Sequence, residues 1–185
     1  MPQTSSLSTA EARREVVIQS AITVFARSGY LGTPVSAVAQ GAKISTAYVF
    51  KLFPRKEDVF VAALSRCFQL IQDALEHGAQ EATAQTPDAI LDAMGQAYAH
   101  LITDRSLLML QVHAQSAAGV PEIAAALRAG LEQIVSFVQT RSGASAEAVQ
   151  RFMAYGQLCH LIVVAELDGN AAPWAQLLTK GIRHF

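Results

Sequence analysis

One short segment of this sequence carries side chains that are well suited to bind nucleic acid. After Ser45, whose hydroxyl can accept from a free N–H at a helix start, Ala47, Tyr48 and Lys51 share one face at helical spacing. A lysine can donate to guanine, and alanine or tyrosine can pack on the methyl group of thymine. The pattern indicates a helix that reads DNA, with an ordinary solvated helix surface as the alternative.

The surrounding residues 33–53 predict two short helices joined by a tight turn. Thr33 followed by Pro34 is typical of a helix start, and the apolar spacing breaks between Gly41 and Ile44. Two helices of this size cannot bury a core alone, so the long helix that precedes them is expected to pack behind them. The residues predicted to face inward are Val35, Val38, Ala39, Val49, Phe50 and Phe53.

Helix start signals divide the rest of the chain. Ser8 and Glu11 have the spacing of a capping box, and Gly29 can end the first helix in a left-handed conformation. A long apolar stripe predicts a helix over about residues 56–82. Because the sequence has no strand alternation, the predicted fold class is all-α, with about nine helices. Later helices are predicted to begin near Thr86, Asp104, Pro121, Ser145 and Pro173, the last of them ending near His184.

The charge is distributed unevenly along the chain. The formal net charge is −1, but residues 1–56 contain seven basic and two acidic side chains, whereas the remainder contains seven basic and thirteen acidic ones. A basic N-terminal module that meets phosphates, joined to an acidic body that does not, accounts for this division. We place a helix-turn-helix module at residues 1–55 and the body at residues 56–185.

The sequence offers no arrangement of side chains that points to an enzyme. His100, His113 and His160 fall on different predicted helices, without carboxylates at metal-ligand spacing or a nucleophile motif. Cys67 and Cys159 lack metal-binding spacing and are expected to be buried thiols, with a redox-sensing pair as the alternative. We therefore expect no catalytic activity, no metal and no cofactor.

Targeting and membrane signals are missing from the sequence as well. The longest uncharged apolar run, residues 152–165, is too short to cross a bilayer, and the N-terminal segment is polar rather than basic and apolar. We expect a cytoplasmic protein without a membrane partner.

The N-terminal third of the chain resembles the DNA-binding domain of TetR-family transcriptional regulators. The resemblance is carried by residues 16–60, VVIQSAITVFARSGYLGTPVSAVAQGAKISTAYVFKLFPRKEDVF. This segment combines a helix that ends F-A-x-x-G-Y, a helix led by threonine, a serine-led helix that ends aromatic-x-x-F, and a K-E helix start. The remainder of the chain matches only in its helical character. The matching residues are Phe25, Ala26, Gly29, Tyr30, Thr33, Ala39, Ser45, Phe53, Lys56 and Glu57.

Three positions depart from the family pattern. Lys43 stands where the family usually has glycine, and a left-handed lysine costs on the order of 1 kcal/mol, so the turn is expected to differ in shape. Phe50 replaces a tyrosine and is expected to pack inward rather than to contact a phosphate. Arg55 replaces a capping serine, which removes a cap and adds a charge near the predicted DNA surface.

The resemblance implies a repressor that is released from a palindromic, double-stranded DNA operator by a small-molecule effector. We expect helix starts to bind phosphates and the second helix of the pair to read bases in the major groove. The predicted phosphate contacts are Thr33, Ser45 and Lys56. The predicted base-facing residues are Thr46, Ala47, Tyr48 and Lys51.

The body is expected to bind the effector and to form a homodimer. The helix from about Ala146 to Leu167 is apolar almost all round, which predicts packing against a two-fold partner together with the last helix; a core helix in a monomer is the alternative. An apolar or aromatic effector suits an acidic body. The alternative function is a helical small-molecule-binding protein that has lost DNA binding, as Lys43 and Phe50 suggest. Candidate pocket walls are Met94, Tyr98, His100, Met109, Gln111, His113, Phe152, Met153 and Trp174.

Overall fold

The computed structural model describes residues 9–182, which form nine α-helices and no strand. The all-α prediction is therefore confirmed. The last helix ends earlier than expected, and the predicted capping box depends on Ser8, which lies outside the described residues. The helices α1 to α9 span Thr9–Gly32, Val35–Gly41, Thr46–Leu52, Lys56–Gln80, Pro87–Leu101, Arg105–Ser116, Pro121–Ser142, Ala146–Val164 and Pro173–Thr179.

Side-chain caps and prolines at the first helical position explain where helices α5 to α9 begin. The Thr86 hydroxyl accepts from the backbone N–H of Ala89 at 3.4 Å, and the Asp104 carboxylate accepts from that of Ser106 at 2.9 Å. Ser145 caps α8 in the same way. Helices α5, α7 and α9 each have proline at the first helical position, where a missing N–H costs nothing. These starts agree with the sequence predictions.

Helix α1 bends at Gly29, where the sequence predicted its end. Gly29 has φ 68° and ψ 179°, a combination that residues with a Cβ avoid, and the chain then makes one more helical turn. A Cβ at this position would lie 2.9 Å from His113 Nδ1 of α6. The glycine therefore permits both the bend and the close approach of α6.

Helix α4 is the central element of the fold. It packs against α1, α5, α6 and α7, and its buried side chains include Val59, Phe60, Leu64 and Phe68. One apolar core runs from α1 to α8 and crosses the predicted boundary at residue 55 without interruption. The division of the chain into two domains stays a prediction.

No helix within residues 9–182 combines the length and the hydropathy that a bilayer crossing requires.

Helices α4 and α7 pack closely at Gly130. A Cβ added there would lie 2.0 Å from Cδ2 of Phe68, a ring that is itself buried. The ring also lines a cavity in the body, so this contact fixes one wall of that cavity.

We expect Gly130→Ala to lower the free energy of unfolding by about 1–3 kcal/mol, because the added methyl group overlaps the Phe68 ring. Urea denaturation measures the change. Gly95→Ala is the matched control, since its Cβ would meet Phe152 at an ordinary 3.8 Å and should add about 0.5–1 kcal/mol of helix stability. Equal stability of the two variants would contradict the close packing of α4 on α7.

Candidate functional site

Helices α2 and α3 form a helix-turn-helix with a well-defined turn. The N–H of Ile44 donates to the Ala39 carbonyl at 3.0 Å, and the N–H of Lys43 donates to the Gln40 carbonyl at 3.1 Å. These two bonds are those of a Schellman motif, whose left-handed position is occupied by Lys43 with φ 55°. The expectation that lysine would reshape this turn is wrong, because Lys43 adopts the left-handed conformation itself.

The outer face of α3 presents most of the predicted base-facing residues. Ser45 caps the helix by accepting from the N–H of Tyr48 at 3.1 Å. Ala47 and Lys51 are exposed, and Thr46 and Tyr48 are half-buried. The Lys51 ammonium lies 6.0 Å from the centre of the Tyr48 ring, so the cation and the aromatic face are neighbours.

The sequence predicted that Phe50 packs inward, but its side chain is exposed. Its side chain is 42% exposed, whereas Val49 and Phe53 are buried and fill the inner face of α3. Phe50 lies three residues after Ala47, a spacing that puts the two on the same side of the helix. The outer face of α3 therefore carries an apolar ring that the sequence analysis assigned to the core.

Of the predicted phosphate contacts, Thr33 is buried and Lys56 is partly buried. Thr33 is 1% exposed, its hydroxyl has no partner among the described residues, and Pro34 rather than Thr33 is the residue that precedes α2. Lys56 begins α4 with its ammonium 4.6 Å from the centre of the Tyr30 ring. Burial lowers the pKa of Lys56, and the charge of Glu57 opposes that change.

Arg55 forms ion pairs within the protein, whereas the sequence predicted that it adds a charge near the DNA surface. The cap that serine would have supplied is replaced by Asp58, whose carboxylate accepts from the N–H of Arg55 at 3.0 Å. The guanidinium binds Asp58 at 2.8 Å and Glu122, at the start of α7, at 2.6 Å. These bonds raise the pKa of Arg55 further and connect the start of α4 to the start of α7.

Two side chains of α1 hold the helix-turn-helix in place, and the sequence analysis missed both. The Arg14 guanidinium stacks on the Phe53 ring at 4.1 Å and donates to the Leu52 carbonyl at the end of α3. The Ser20 hydroxyl donates to the Val38 carbonyl of α2 at 2.8 Å. Both contacts join residues far apart in the chain, so no local sequence pattern predicts them.

Tyr30 and Glu57 form the polar part of the junction between α1 and α4. The Tyr30 hydroxyl donates to Glu57 at 2.5 Å, and the Tyr30 ring packs edge-on against Phe60 with centroids 5.5 Å apart. Burial, with the Glu57 carboxylate beside it, raises the pKa of Tyr30 to about 12. The same hydrogen bond lowers the pKa of Glu57.

A cavity of about 710 Å³ lies in the body, bordered by α4 to α8 and by the residues that follow α9. Its size is that of a small-molecule site. Of the predicted pocket walls, Tyr98, Gln111, Phe152 and Met153 line it. Other lining residues, which the sequence analysis did not select, are Phe68, Ile71, Leu75, Asp92, Leu131, Ile134 and Lys180.

The other five predicted pocket walls lie elsewhere. Met94 is fully buried in the core, and Met109 packs in a small apolar cluster with Cys159. His113 points at α1, where its Nε2 lies 3.2 Å from the Ala26 carbonyl. Exposed positions are occupied by His100 and Trp174. Helical periodicity shows on which face of its helix each of these five residues lies, but it does not show which neighbour that face contacts.

Both cysteines are buried free thiols. The Cys67 thiol donates to the Leu107 carbonyl at 3.4 Å, and burial raises its pKa to about 12. Burial also raises the pKa of Cys159. Such thiols are poor nucleophiles and poor metal ligands. The described part of the chain contains no cluster of three or more histidine, cysteine, aspartate or glutamate side chains that could hold a metal ion.

Comparison with known proteins identifies the N-terminal segment of the chain. Residues 17–63, which include the helix-turn-helix, match the family model of the bacterial regulatory proteins of the tetR family. The chain carries a TetR-type N-terminal domain. No curated protein matches the chain in sequence.

Solved structures of TetR-type and related regulators share the fold over nearly the whole chain. The fatty acid degradation regulator FadR from Bacillus halodurans is 18% identical over 94% of this chain and 97% of its own, with a TM-score of 0.70. FadR from Bacillus subtilis, in complex with stearoyl-CoA, is 19% identical over 91% of this chain and 99% of its own, also with a TM-score of 0.70. The multidrug binding protein EbrR, complexed with proflavin, is 18% identical over 90% and 98%, with a TM-score of 0.61. At these identities the similarity establishes the fold alone.

We expect Tyr30→Phe to lower the free energy of unfolding by about 1 kcal/mol at neutral pH, because Glu57 loses a hydrogen bond to its ionised form. The pKa of Glu57 is depressed in the folded state, so this stabilisation exists above its unfolded pKa and disappears as the pH falls through the folded value. Urea denaturation at neutral and acidic pH measures both effects. Tyr48→Phe, which removes a hydroxyl without a described partner, is the control. A deficit of Tyr30→Phe that stays constant into acid would contradict the assignment.

Proposed function

We propose that this protein is a cytoplasmic transcriptional repressor of TetR type that binds a palindromic DNA operator as a homodimer. The observation that carries the proposal is the outer face of α3, where Lys51 lies beside Tyr48 on a helix-turn-helix that matches the tetR family model. In this motif the second helix enters the major groove. A lysine there can donate to guanine while the aromatic ring packs on a neighbouring thymine.

The proposed contacts follow from which side chains are accessible. Thr46, Ala47, Tyr48 and Lys51 read bases, and Phe50, exposed on the same side of α3, adds an apolar contact for a thymine methyl group. Phosphates are bound by Ser45 and Lys56 at the starts of α3 and α4. The Thr33 hydroxyl is removed from this set because it is buried.

The proposed dimer forms through α8 and α9. Both helices leave large apolar side chains exposed, although α8 also packs against the core through Val149 and Ile162. An apolar surface of this kind is typical of a protein interface. Pairing of these helices around a two-fold axis would bring two copies of α3 to successive half-sites, which in such dimers are about 34–36 Å apart. The exposed residues are Tyr155, Leu161, Val164, Trp174 and Leu177.

We propose that an effector in the cavity weakens DNA binding through α6 and α4. Gln111 of α6 lines the cavity, while His113, two residues later, contacts the bend of α1 at Ala26. A ligand that prefers one position of α6 therefore shifts both α1 and α4. Helix α1 holds α2 and α3 in place, and α4 begins beside them. FadR with stearoyl-CoA and EbrR with proflavin support an apolar or aromatic effector by analogy. A ligand that binds the cavity and leaves DNA affinity unchanged would contradict this mechanism.

The alternative is a small-molecule-binding protein that has lost DNA binding. Its support weakens, because Lys43 preserves the turn and Phe50 lies on the accessible face of α3. DNA affinity separates the two functions: a regulator loses affinity steeply with salt and is competed off only by its palindrome.

For the DNA-binding function, we expect Lys51→Ala to weaken binding to an operator selected from random DNA by about 1–3 kcal/mol and to relax preference at one base pair. Lys56→Ala should weaken binding to all sequences and reduce the salt slope by about 1, since it removes a phosphate contact. Fluorescence anisotropy at fixed salt measures both. Unchanged affinity in both variants would refute the assignment of the α3 face.

For the dimer, we expect the wild-type protein to sediment as a dimer at micromolar concentration and Leu161→Arg to sediment as a monomer, because the charge is placed in the apolar α8 surface. Val16→Arg, on an α1 residue of similar exposure, is the matched control and should remain dimeric. A monomeric wild-type protein would rule out this interface.

A further inference from the structure

Three polar side chains from three helices meet at the wall of the cavity. The Tyr98 hydroxyl of α5 lies 2.6 Å from His160 Nε2 of α8, and Gln111 Nε2 of α6 donates to the same hydroxyl oxygen at 3.4 Å. Gln111 is oriented by its second bond, to the Leu107 carbonyl at 3.2 Å. Tyr98 and Gln111 line the cavity, whereas His160 lies behind Tyr98 and is 5% exposed.

All three side chains are uncharged. Burial lowers the pKa of His160 to about 4, so its imidazole is neutral under physiological conditions. Burial raises the pKa of Tyr98, which keeps the phenol protonated, although the hydrogen bond from Gln111 opposes this change. The wall of the cavity at this point therefore offers hydrogen bonds without a formal charge.

The position of the imidazole proton follows from its surroundings. If Tyr98 donated to His160, the proton of the ring would lie on Nδ1, which is buried and has no partner among the described residues. A buried N–H without an acceptor is rarer in proteins than a buried acceptor without a donor. We infer from this preference that the proton lies on Nε2 and is donated to the Tyr98 oxygen.

This arrangement leaves one hydrogen without a partner. The Tyr98 oxygen accepts from both His160 and Gln111, which occupies its two lone pairs. No acceptor for the phenolic O–H is found among the described residues, so the cavity is where its partner would lie. In this tautomer His160 is a positioning residue, because it leaves the Tyr98 hydroxyl free to donate to a ligand.

The charges around the cavity restrict the ligand further. The only charged side chains among its described lining residues are Asp92 and Lys180, and both are exposed. A carboxylate placed beside Tyr98 would have no cation among the described lining residues of the interior. An ion there would lose its hydration without compensation.

We propose that the cavity binds an uncharged, mainly apolar molecule whose carbonyl or ether oxygen accepts a hydrogen bond from Tyr98. This inference rests on the proposed effector-binding role of the cavity and specifies the chemistry of the effector. The apolar remainder of the ligand would lie against Phe68, Ile71 and Phe152.

The fluorescent ketone prodan tests the proposal, with an analogue in which a methylene group replaces the carbonyl and a second in which a carboxylate replaces the acyl group. We expect the wild-type protein to bind prodan about five- to ten-fold more tightly than the methylene analogue, as one net hydrogen bond predicts. Prodan bound to the wild-type protein should emit at longer wavelength than prodan bound to Tyr98→Phe, because hydrogen bonding to the carbonyl shifts its emission to the red.

Each outcome decides the question. Equal affinity for the ketone and its methylene analogue overturns the proposal, as does tighter binding of the carboxylate or failure to bind any probe. These comparisons use the wild-type protein, so they hold even if Tyr98→Phe does not fold. His160→Gln, which can still donate from a similar position, should retain the red-shifted emission that His160→Leu loses. DNA affinity of the same preparations, measured without probe, tests the regulatory function separately.

Discussion

The packing of Phe60 against α1 is the interaction on which the arrangement of this protein depends. Its ring meets Phe25 edge-on at a centroid distance of 4.9 Å and Tyr30 at 5.5 Å, so one residue at the start of α4 is enclosed by two aromatic side chains of α1. Aromatic pairs in this geometry add to the free energy of burial. The hydrogen bond from Tyr30 to Glu57 fixes the rotation of α1 against α4 as well as the distance between them.

The position of the helix-turn-helix follows from that junction. Helices α2 and α3 contribute few buried residues of their own, chiefly Val38 and Val49, and depend on α1 for the rest of their core. Ser20 donates to the Val38 carbonyl in the middle of α2, and Arg14 donates to the Leu52 carbonyl at the end of α3. Because both residues belong to α1, any rotation of α1 against α4 carries the outer face of α3 with it.

The basic character of the N-terminal third is only partly available for DNA. Arg55 is neutralised by Asp58 and Glu122, and Arg14 is engaged with Phe53. What remains near α3 is Lys51, together with Lys43 at the turn and the partly buried Lys56. Counting charges along the chain overestimates the charge that meets phosphates, because a count does not distinguish a solvated ammonium from a guanidinium in an ion pair.

Helix α6 is the element that the cavity and the helix-turn-helix share. Gln111 and His113 are two positions apart, so they point in different directions from the helix: one towards Tyr98 and the cavity, the other towards the bend of α1. Gly29 lets His113 approach, since a Cβ there would collide with the ring. In the mechanism that we propose, a change in the cavity wall reaches α1 through this single helix.

The sequence by itself determined the features that depend on residues close together in the chain. Thr86, Asp104 and Ser145 fixed helix starts, the apolar stripe from Val59 to Ile71 fixed α4, and the order of motifs from Phe25 to Glu57 identified the TetR-type domain, because each depends on spacing within a few turns of helix. Tertiary structure alone decided that Thr33 is buried, that Phe50 is exposed and that Arg55 bonds to Glu122. It also brought Tyr98, Gln111 and His160 together while directing His113 away from the cavity. The physical reason is that periodicity gives the face of a helix on which a side chain lies, whereas its partner depends on how helices distant in the chain pack against that face.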